Sequence, residues 1–232
     1  KIKDAFNTAG YEVINDFKNA VFDVADFGIP QHRKRVIILG VRNDTRDCKS
    51  IIREFYDEIM PRIRKGSKPC TVKDAIGDLP KLHPNDEIIR SKGNKFSHIP
   101  IESDGIYNHN PRYHSERDQK IFKLLCRDIE SGKNEYTSIE ALKTLYTEMT
   151  GKHSNIHKYY VLRWDQPSNT IPAHLYKDGM RHIHPDSEQA RSITVREAAR
   201  LQTFEDDFEF LGPSMTQYKM IGNAVPKKKK KI

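Results

Sequence analysis

Apolar positions in the first nine residues, Ile2, Ala5, Phe6 and Ala9, fall on one face of a helix that Gly10 closes. The period then changes. Tyr11, Val13 and Phe17 alternate, Val21, Phe22 and Val24 follow, and Val36-Ile37-Ile38-Leu39-Gly40-Val41 is a short branched run of the kind that forms a buried strand. Gly28-Ile29-Pro30 marks a turn between the last two, so the opening predicts strands within a substantial sheet. From about residue 47, Ile51, Ile52, Phe55, Tyr56 and Ile59 share a helical face expected to stop at Pro61, because proline lacks the amide hydrogen an interior turn needs.

Thr71 and Asp74 have capping-box spacing, which predicts a short helical turn over 71–78. Residues 81–114 carry no period and are rich in His, Asn, Gly, Ser and Pro; they read as recognition-type loops. Two amphipathic helices follow. One covers 115–131, with Ile121, Leu125 and Ile129 stacked and Gly132 as its stop; the other covers 138–150, with Ile139, Leu142, Leu145 and Met149, ended by Gly151. Residues 152–190 again read as loops and short strands. Thr194 with Glu197, and Ser214 with Gln217, form capping boxes that open a helix over 195–204 and a last one ending at Gly222.

Charge adds less than its total suggests. The formal charge of +8 includes the run Lys227 to Lys231; without it 35 basic residues face 32 acidic ones, +3, so a case for nucleic acid depends on where the charges sit. A chain 36% hydrophobic and 31% charged is globular, on the polar side. No stretch nears the roughly 18 apolar residues of a membrane helix, and Lys1-Ile2-Lys3-Asp4 opens no signal peptide, which argues against membrane and secreted classes. Cys48, Cys70 and Cys126 are too few and too scattered for a disulfide framework, as expected of a reducing cytoplasm. The chain opens in the middle of a helical pattern and without Met, which reads as a piece of something longer.

Candidate chemistry concentrates in Gln31-His32-Arg33-Lys34-Arg35. In extended backbone Gln31, Arg33 and Arg35 share a face, a donor array suited to phosphate, carboxylate or a base carbonyl; a solvated basic edge strand fits the spacing equally well. His109 with His114, or His153 with His157, has metal-compatible spacing, but no cysteine accompanies them and no metal is assigned; they read as surface or DNA-facing histidines. A metal-dependent nuclease using His109 and His114 is the remote alternative.

The segment Asp26 to Gly40, containing Gln31-His32-Arg33-Lys34-Arg35, closely resembles motif VIII of DNA cytosine methyltransferases acting at carbon 5. Thr71-Val72-Lys73-Asp74-Ala75-Ile76-Gly77-Asp78-Leu79-Pro80 is similar to the passage leading into their target-recognition region. Trp164 to Ile171 and Thr194 to Phe204 resemble the approach to motif IX and the motif itself, and Ile221-Gly222-Asn223-Ala224-Val225-Pro226 resembles motif X. These matches stand in the family's order from residue 1 to 226. Met220, where the family often has Gln, and Glu205, where Pro is usual, are small departures.

The resemblance implies an α/β fold: a C-terminal fragment of a Rossmann-like methyltransferase sheet plus a smaller mixed α+β target-recognition domain. It divides the chain into 1–45, the last strands of the catalytic domain; 46–190, the target-recognition region; 191–226, a return segment packing on the catalytic domain; and 227–232, a lysine tail expected to be unstructured. The implied reaction is methylation of carbon 5 of a cytosine flipped out of double-stranded DNA, with S-adenosylmethionine as methyl donor, in a prokaryotic restriction-modification system. Carried over position by position, Arg33 and Arg35 would sit by the flipped cytosine, Gln31 beside them on DNA, and Asn223, Ala224 and Val225 in the cofactor pocket wall.

Arg196, Glu197 and Arg200 are assigned to a buried or half-buried charge network. Asn94, Asn108, Arg112 and Lys177 are candidate DNA readers, chosen for chemistry only. The family's glycine-rich loop, Pro-Cys nucleophile segment and Glu-Asn-Val segment precede motif VIII and are not found here. Pro69-Cys70 follows it, so Cys70 reads as a buried structural cysteine and the catalytic cysteine as absent. The expectation is a fragment inactive alone that needs its N-terminal catalytic half; a separately encoded DNA-specificity subunit without activity is the alternative.

Overall fold

The computed structural model describes residues 1–91, 94–100 and 105–227, with Ser91 and Asn94 placed by backbone only. The side chain of Asn94 and the lysines 228–231 lie outside the described residues. Helix α1 (Ile2–Thr8) ends where expected, with Gly10 at φ 83°, but buries none of its residues. Strand β1 (Tyr11–Glu12) pairs antiparallel with β4 (Val41–Arg42), and β2 (Val21–Asp23) with β3 (Lys34–Val36). In place of a substantial sheet, this part of the chain therefore holds two separate two-stranded pieces among the described residues.

The apolar run from Val36 to Val41 is not a buried strand. Val36 and Ile37 are 55% and 41% exposed. Beyond β3 the ladder stops because the hydroxyl of Tyr56 takes its place, donating to the Ile37 carbonyl (2.8 Å) and accepting the Leu39 amide (2.9 Å). Tyr56 lies on a helix that passes the expected stop: α2 (Cys48–Glu54), a wide π turn (Phe55–Ile59) and α3 (Met60–Lys65) are continuous. The π turn resets the hydrogen-bond ladder, so Pro61 stands in the first turn of α3, where its missing N–H costs nothing. Ala20, Ile52 and Tyr56 form a small apolar cluster beneath.

Helix α4 (Val72–Ile76) carries its capping box. The 81–114 stretch is not all loop: β5 (Pro84–Ser91) and β6 (Asn94–His98) form a hairpin, whose irregular register between Pro84 and Ile89 breaks the alternation that would have marked it. Helices α5 (Glu116–Glu130) and α6 (Ile139–Thr150) are capped by Ser115 and Ser138 and stopped by Gly132 and Gly151, both at positive φ. Ile121, Leu125, Leu142 and Leu145 pack there against Tyr159, Val161 and Ile183. Helix α7 (Val195–Leu201) has the Thr194–Glu197 box. Helix α8 (Ser214–Asn223) lacks the Ser214–Gln217 box, because Gln217 donates instead to the carbonyls of Phe210 (2.7 Å) and Gly212 (2.9 Å), and it runs through Gly222.

Residues 152–190, expected as loops, supply much of the core. Leu162, Ile171 and Leu175 are at most 1% exposed and pack with Val72, Ile76, Ile193, Leu201, Tyr218 and Ile221. Such irregular backbone is tolerated inside because isolated bridges satisfy it: Gln31 to Ser168, Val161 to Ile183 and Ile183 to Ser192. No helix among the described residues is long and apolar enough to cross a membrane.

Polar groups are buried in the same layer. The Arg191 guanidinium donates twice to the Glu197 carboxylate (2.6 and 2.7 Å), both residues being 1% exposed. His184 Nε2 lies 3.5 Å from the same carboxylate. Burial alone would raise the Glu197 pKa, but Arg191 and His184 hold it well below the usual carboxylate range. Burial pushes His98 and His182 down to about 4, and His114 and His184 down to about 3. These rings are neutral, and each has a partner for at least one nitrogen, for example the His98 Nε2–H donating to the Gln189 carbonyl (2.7 Å). His109 and His114 are thus internal, not surface or DNA-facing, whereas His153 is exposed and His157 half-buried.

All these groups bind protons less readily folded than unfolded, so protons favour unfolding. The urea midpoint should fall continuously from pH 6.5 towards 4 as histidines freed by unfolding are protonated, with Glu197 adding to the loss below about 4.5. The summed decrease should be on the order of several kcal/mol. A midpoint constant over that range would show that the histidines are not buried neutral.

Candidate functional site

The sharpest sequence feature, Gln31 to Arg35, lies where four stretches of chain meet. Gly28, at φ 81°, turns the backbone out of a 3-10 turn so that Pro30 and His32 can bond to Ser168 from both sides (2.9 and 2.7 Å). Gln31 is fully buried. Its amide nitrogen donates to the Leu201 carbonyl and to Gln202 Oε1 (both 3.2 Å), and its Oε1 accepts the Ile171 amide (3.0 Å). Arg33, 5% exposed, donates Nη1 to the Ile171 carbonyl and Nη2 to the Gly222 carbonyl, both at 2.9 Å. Gln202 closes the ring by donating to the Ile221 carbonyl (2.9 Å).

This geometry corrects two expectations. Gln31 offers no polar atom to DNA, because all of its hydrogen-bonding groups are turned inward onto protein. Arg33 commits both Nη atoms to backbone carbonyls, and its buried Nε has no partner among the described residues. Alternate side chains do share a face, but that face is internal. Arg35, half-buried, differs: among the described residues its side chain makes one hydrogen bond, from Nη1 to the carbonyl of Lys34 (2.7 Å). Burial, and then the charge of Arg35, lowers the Arg33 pKa, so the two guanidiniums are electrostatic neighbours.

Gly222 brings α8 to the joint. A methyl group there would overlap the backbone of Pro172 and Ala173, so only glycine permits the approach. The residues just beyond face outward: Asn223 is exposed, Ala224 half-buried and Val225 73% exposed. An outward amide without a partner among the described residues, next to an exposed valine, suits one wall of a site for a ligand with polar and apolar parts.

The charged residues of α7 act differently from one another. Glu197 pairs with Arg191, a residue that sequence reasoning missed; its adjacency to a capping box six residues on was the only signal. Arg196, wholly buried, is no member of an ion-pair network: it donates to the carbonyls of Tyr107 (2.8 Å), Glu205 (2.8 Å) and Phe208 (2.6 Å). Arg200 bonds Asp206 through two nitrogens (2.8 and 2.7 Å) and reaches Asp78.

Two of the expected DNA readers are structural. Asn108, at φ 64°, exchanges two hydrogen bonds with the backbone of Phe210 (3.0 and 2.9 Å). Arg112 donates to the carbonyls of Leu175 (3.1 Å) and Tyr176 and lies over the Tyr218 ring. Lys177 is exposed, 5.5 Å from the Tyr176 ring centroid, and free to reach outward. His109 is buried between the Thr194 hydroxyl (3.0 Å) and the Pro80 carbonyl (2.9 Å), and His114 Nε2 accepts the Ser192 amide (3.1 Å), so neither ring is available to a metal. Among the described residues no group of three or more potential ligands could hold one. Cys70 is half-buried, not buried.

Residues 1–229 match the family described as C-5 cytosine-specific DNA methylase. Type II methyltransferase M.Bpa9945I of Bacillus paralicheniformis is 36% identical over 244 residues, covering 97% of this chain and 52% of that protein. M.Eco47II of Escherichia coli is 33% identical over 231 residues (97% and 45%), and M1.HphI of Haemophilus parahaemolyticus 30% over 226 (97% and 48%). The chain thus spans about half the length of these curated relatives. A crystal structure of a candidate DNA modification methyltransferase encoded within an E. coli prophage has a TM-score of 0.56 at 23% identity, covering 96% of this chain and 59% of that one, a likeness of fold.

The two arginines should separate by mutation. Arg33→Ala removes two charged hydrogen bonds to buried carbonyls and is expected to cost about 3–5 kcal/mol in urea unfolding. Arg35→Ala should stay within about 0.5 kcal/mol. Equal losses would show that the joint does not depend on Arg33.

Proposed function

The chain belongs to the C-5 cytosine-specific DNA methylase family, and from that premise we propose that it supplies the target-recognition part, and one side of the base and cofactor pockets, of an enzyme that methylates carbon 5 of cytosine in a short DNA sequence. Type II relatives support a place in a restriction-modification system. The observation that carries the reading is the buried joint of Gln31 and Arg33 with residues 168–171, 201–202 and 221–222, which brings Arg35 and the Asn223–Val225 edge to the same locality from opposite ends of the chain.

A cytosine stacked in a duplex is beyond the reach of any side chain, so the base must be extruded. Arg35, the guanidinium of the pair not committed to the interior, is the group we assign to the extruded cytosine or its flanking phosphate; Arg33 holds the strand that carries it. S-adenosylmethionine, when bound, supplies the methyl group, and Asn223, Ala224 and Val225 form one wall of its pocket. Residues 46–190 carry the sequence-reading surface, with Lys177 and the exposed side of the β5–β6 hairpin available to DNA.

Cys70, the one cysteine preceded by proline, lies half-buried after the motif. The nucleophile belongs to the remaining half of the enzyme, in the same polypeptide or in a separate one. The exposed Val36 and Ile37 beside β3 are where that half continues the sheet.

The purified chain should transfer no labelled methyl group to DNA alone; transfer by it without another chain would overturn the division of labour. In the complete enzyme Arg35→Ala should lower kcat about 10²-fold, the scale of one lost transition-state donor, with little change in DNA affinity. A mere loss of affinity would place Arg35 on the duplex backbone.

A further inference from the structure

We propose that Arg181 is a pre-oriented contact for a backbone phosphate of DNA, with His157 as its positioning residue; the inference rests on the reading of this chain as the DNA-recognising part of a methylase. Arg181 ends a 3-10 turn (Gly179–Arg181) whose backbone is fastened on several sides. Its amide donates to the Asp178 carbonyl (2.9 Å), and its own carbonyl accepts Asn169 Nδ2 (3.1 Å). The preceding carbonyl, of Met180, accepts the Tyr160 amide (3.0 Å), and Met180 packs against the cluster of α5 and α6.

The side chain is exposed, yet it is held. Arg181 Nη2 donates to His157 Nε2 at 3.4 Å, a long bond that orients more than it stabilises. His157 is fitted to accept because its Nδ1–H donates to the Tyr159 carbonyl (3.1 Å), which leaves the Nε2 lone pair facing the guanidinium. An imidazole holding that pose is neutral. The guanidinium therefore keeps its whole charge while giving up rotamer freedom, an entropic cost met in the free protein and not at binding.

Five other arginines of this region are neutralised or enclosed. Arg191 and Arg200 pair with carboxylates, and Arg33, Arg112 and Arg196 are taken by carbonyls. Among the described residues no carboxylate lies within ion-pair distance of Arg181, and the acid three residues before it, Asp178, faces His174 (3.1 Å). Asn169 stands between Ser168, bonded to Pro30 and His32, and Thr170, whose hydroxyl donates to the His32 carbonyl (2.6 Å). One hydrogen bond thus ties the Arg181 backbone to the segment clamped by Gln31 and Arg33. A fixed, unneutralised fork at the edge of that joint has the chemistry of an oxyanion contact, and in a DNA-recognising surface the oxyanion is the phosphodiester.

The test is the salt dependence of binding of the 232-residue chain to a duplex carrying the target sequence and to a random duplex. Arg181→Ala should reduce the slope of log K against log salt by about 0.9 on both duplexes, and Arg181→Gln, which keeps a donor for His157, should do the same. His157→Phe should weaken binding several-fold with the slope intact, and His157→Gln, which retains an acceptor, should restore part of the affinity. An unchanged slope in Arg181→Ala, with wild-type binding present, overturns the inference; so does a loss confined to the target duplex, which would make Arg181 a base reader. Selective competition by inorganic phosphate at matched ionic strength, abolished in Arg181→Ala, would assign the site to a free oxyanion instead. A wild-type chain that binds neither duplex overturns the DNA reading together with this one.

Discussion

Two side chains, Gln31 and Arg33, hold together parts of the molecule that lie up to 189 residues apart. Each directs its hydrogen bonds mainly to backbone groups of other segments, Gln31 reaching the Gln202 side chain as well. The joint is therefore specified by a pair of side chains together with Gly222, whose missing side chain lets the gripped segments approach. Charge makes it selective: a carbonyl buried beside a guanidinium gains more than one beside a neutral donor, and an unpaired guanidinium there would be severely unfavourable. The function assigned to Arg35 and to the Asn223–Val225 edge requires that these stay in register, and the clamp is what keeps them so.

A second polar layer, around Glu197, secures Leu82 and His98 to the segment that leads into α7. Arg191 reaches Glu197, and Gln189, itself bonded to Arg191, accepts the Leu82 amide (2.9 Å) while its carbonyl accepts from His98. Long stretches without helix or strand can be buried only if their backbone groups find such partners. Neutral histidines serve this purpose well, since each offers one donor and one acceptor without carrying a charge inside.

Elements set by local chemistry were legible in the sequence: the capped and glycine-stopped helices α5 and α6, the Thr71 and Thr194 boxes, and the helix ending before Gly10. What escaped was whatever depended on distant partners. Pro61 reads as a stop unless the π turn before it is known, and the apolar run after Arg35 reads as a buried strand unless Tyr56 is seen to intercept it. The loops of 152–190 look polar because their hydrogen-bonding residues are many, yet those groups are satisfied inside. At the site, the alternation of Gln31, Arg33 and Arg35 was visible, but not their division into two buried holders and one half-buried guanidinium, since alternation gives a shared face without saying what covers it. Asn108 and Arg112 were chosen by the chemistry of their side chains, which serves backbone recognition in protein as well as in DNA.

The absent side chain at position 222 has a mechanical meaning. With the α8 backbone seated directly on the peptide between Pro172 and Ala173, no compressible layer separates the final helix from the strand-like segment gripped by Gln31. Displacements of one are passed to the other undamped, as between two plates in hard contact. A shift in the segment gripped by Gln31 would be felt, nearly undiminished, at the C-terminal end of α8, the edge proposed to wall the methyl donor.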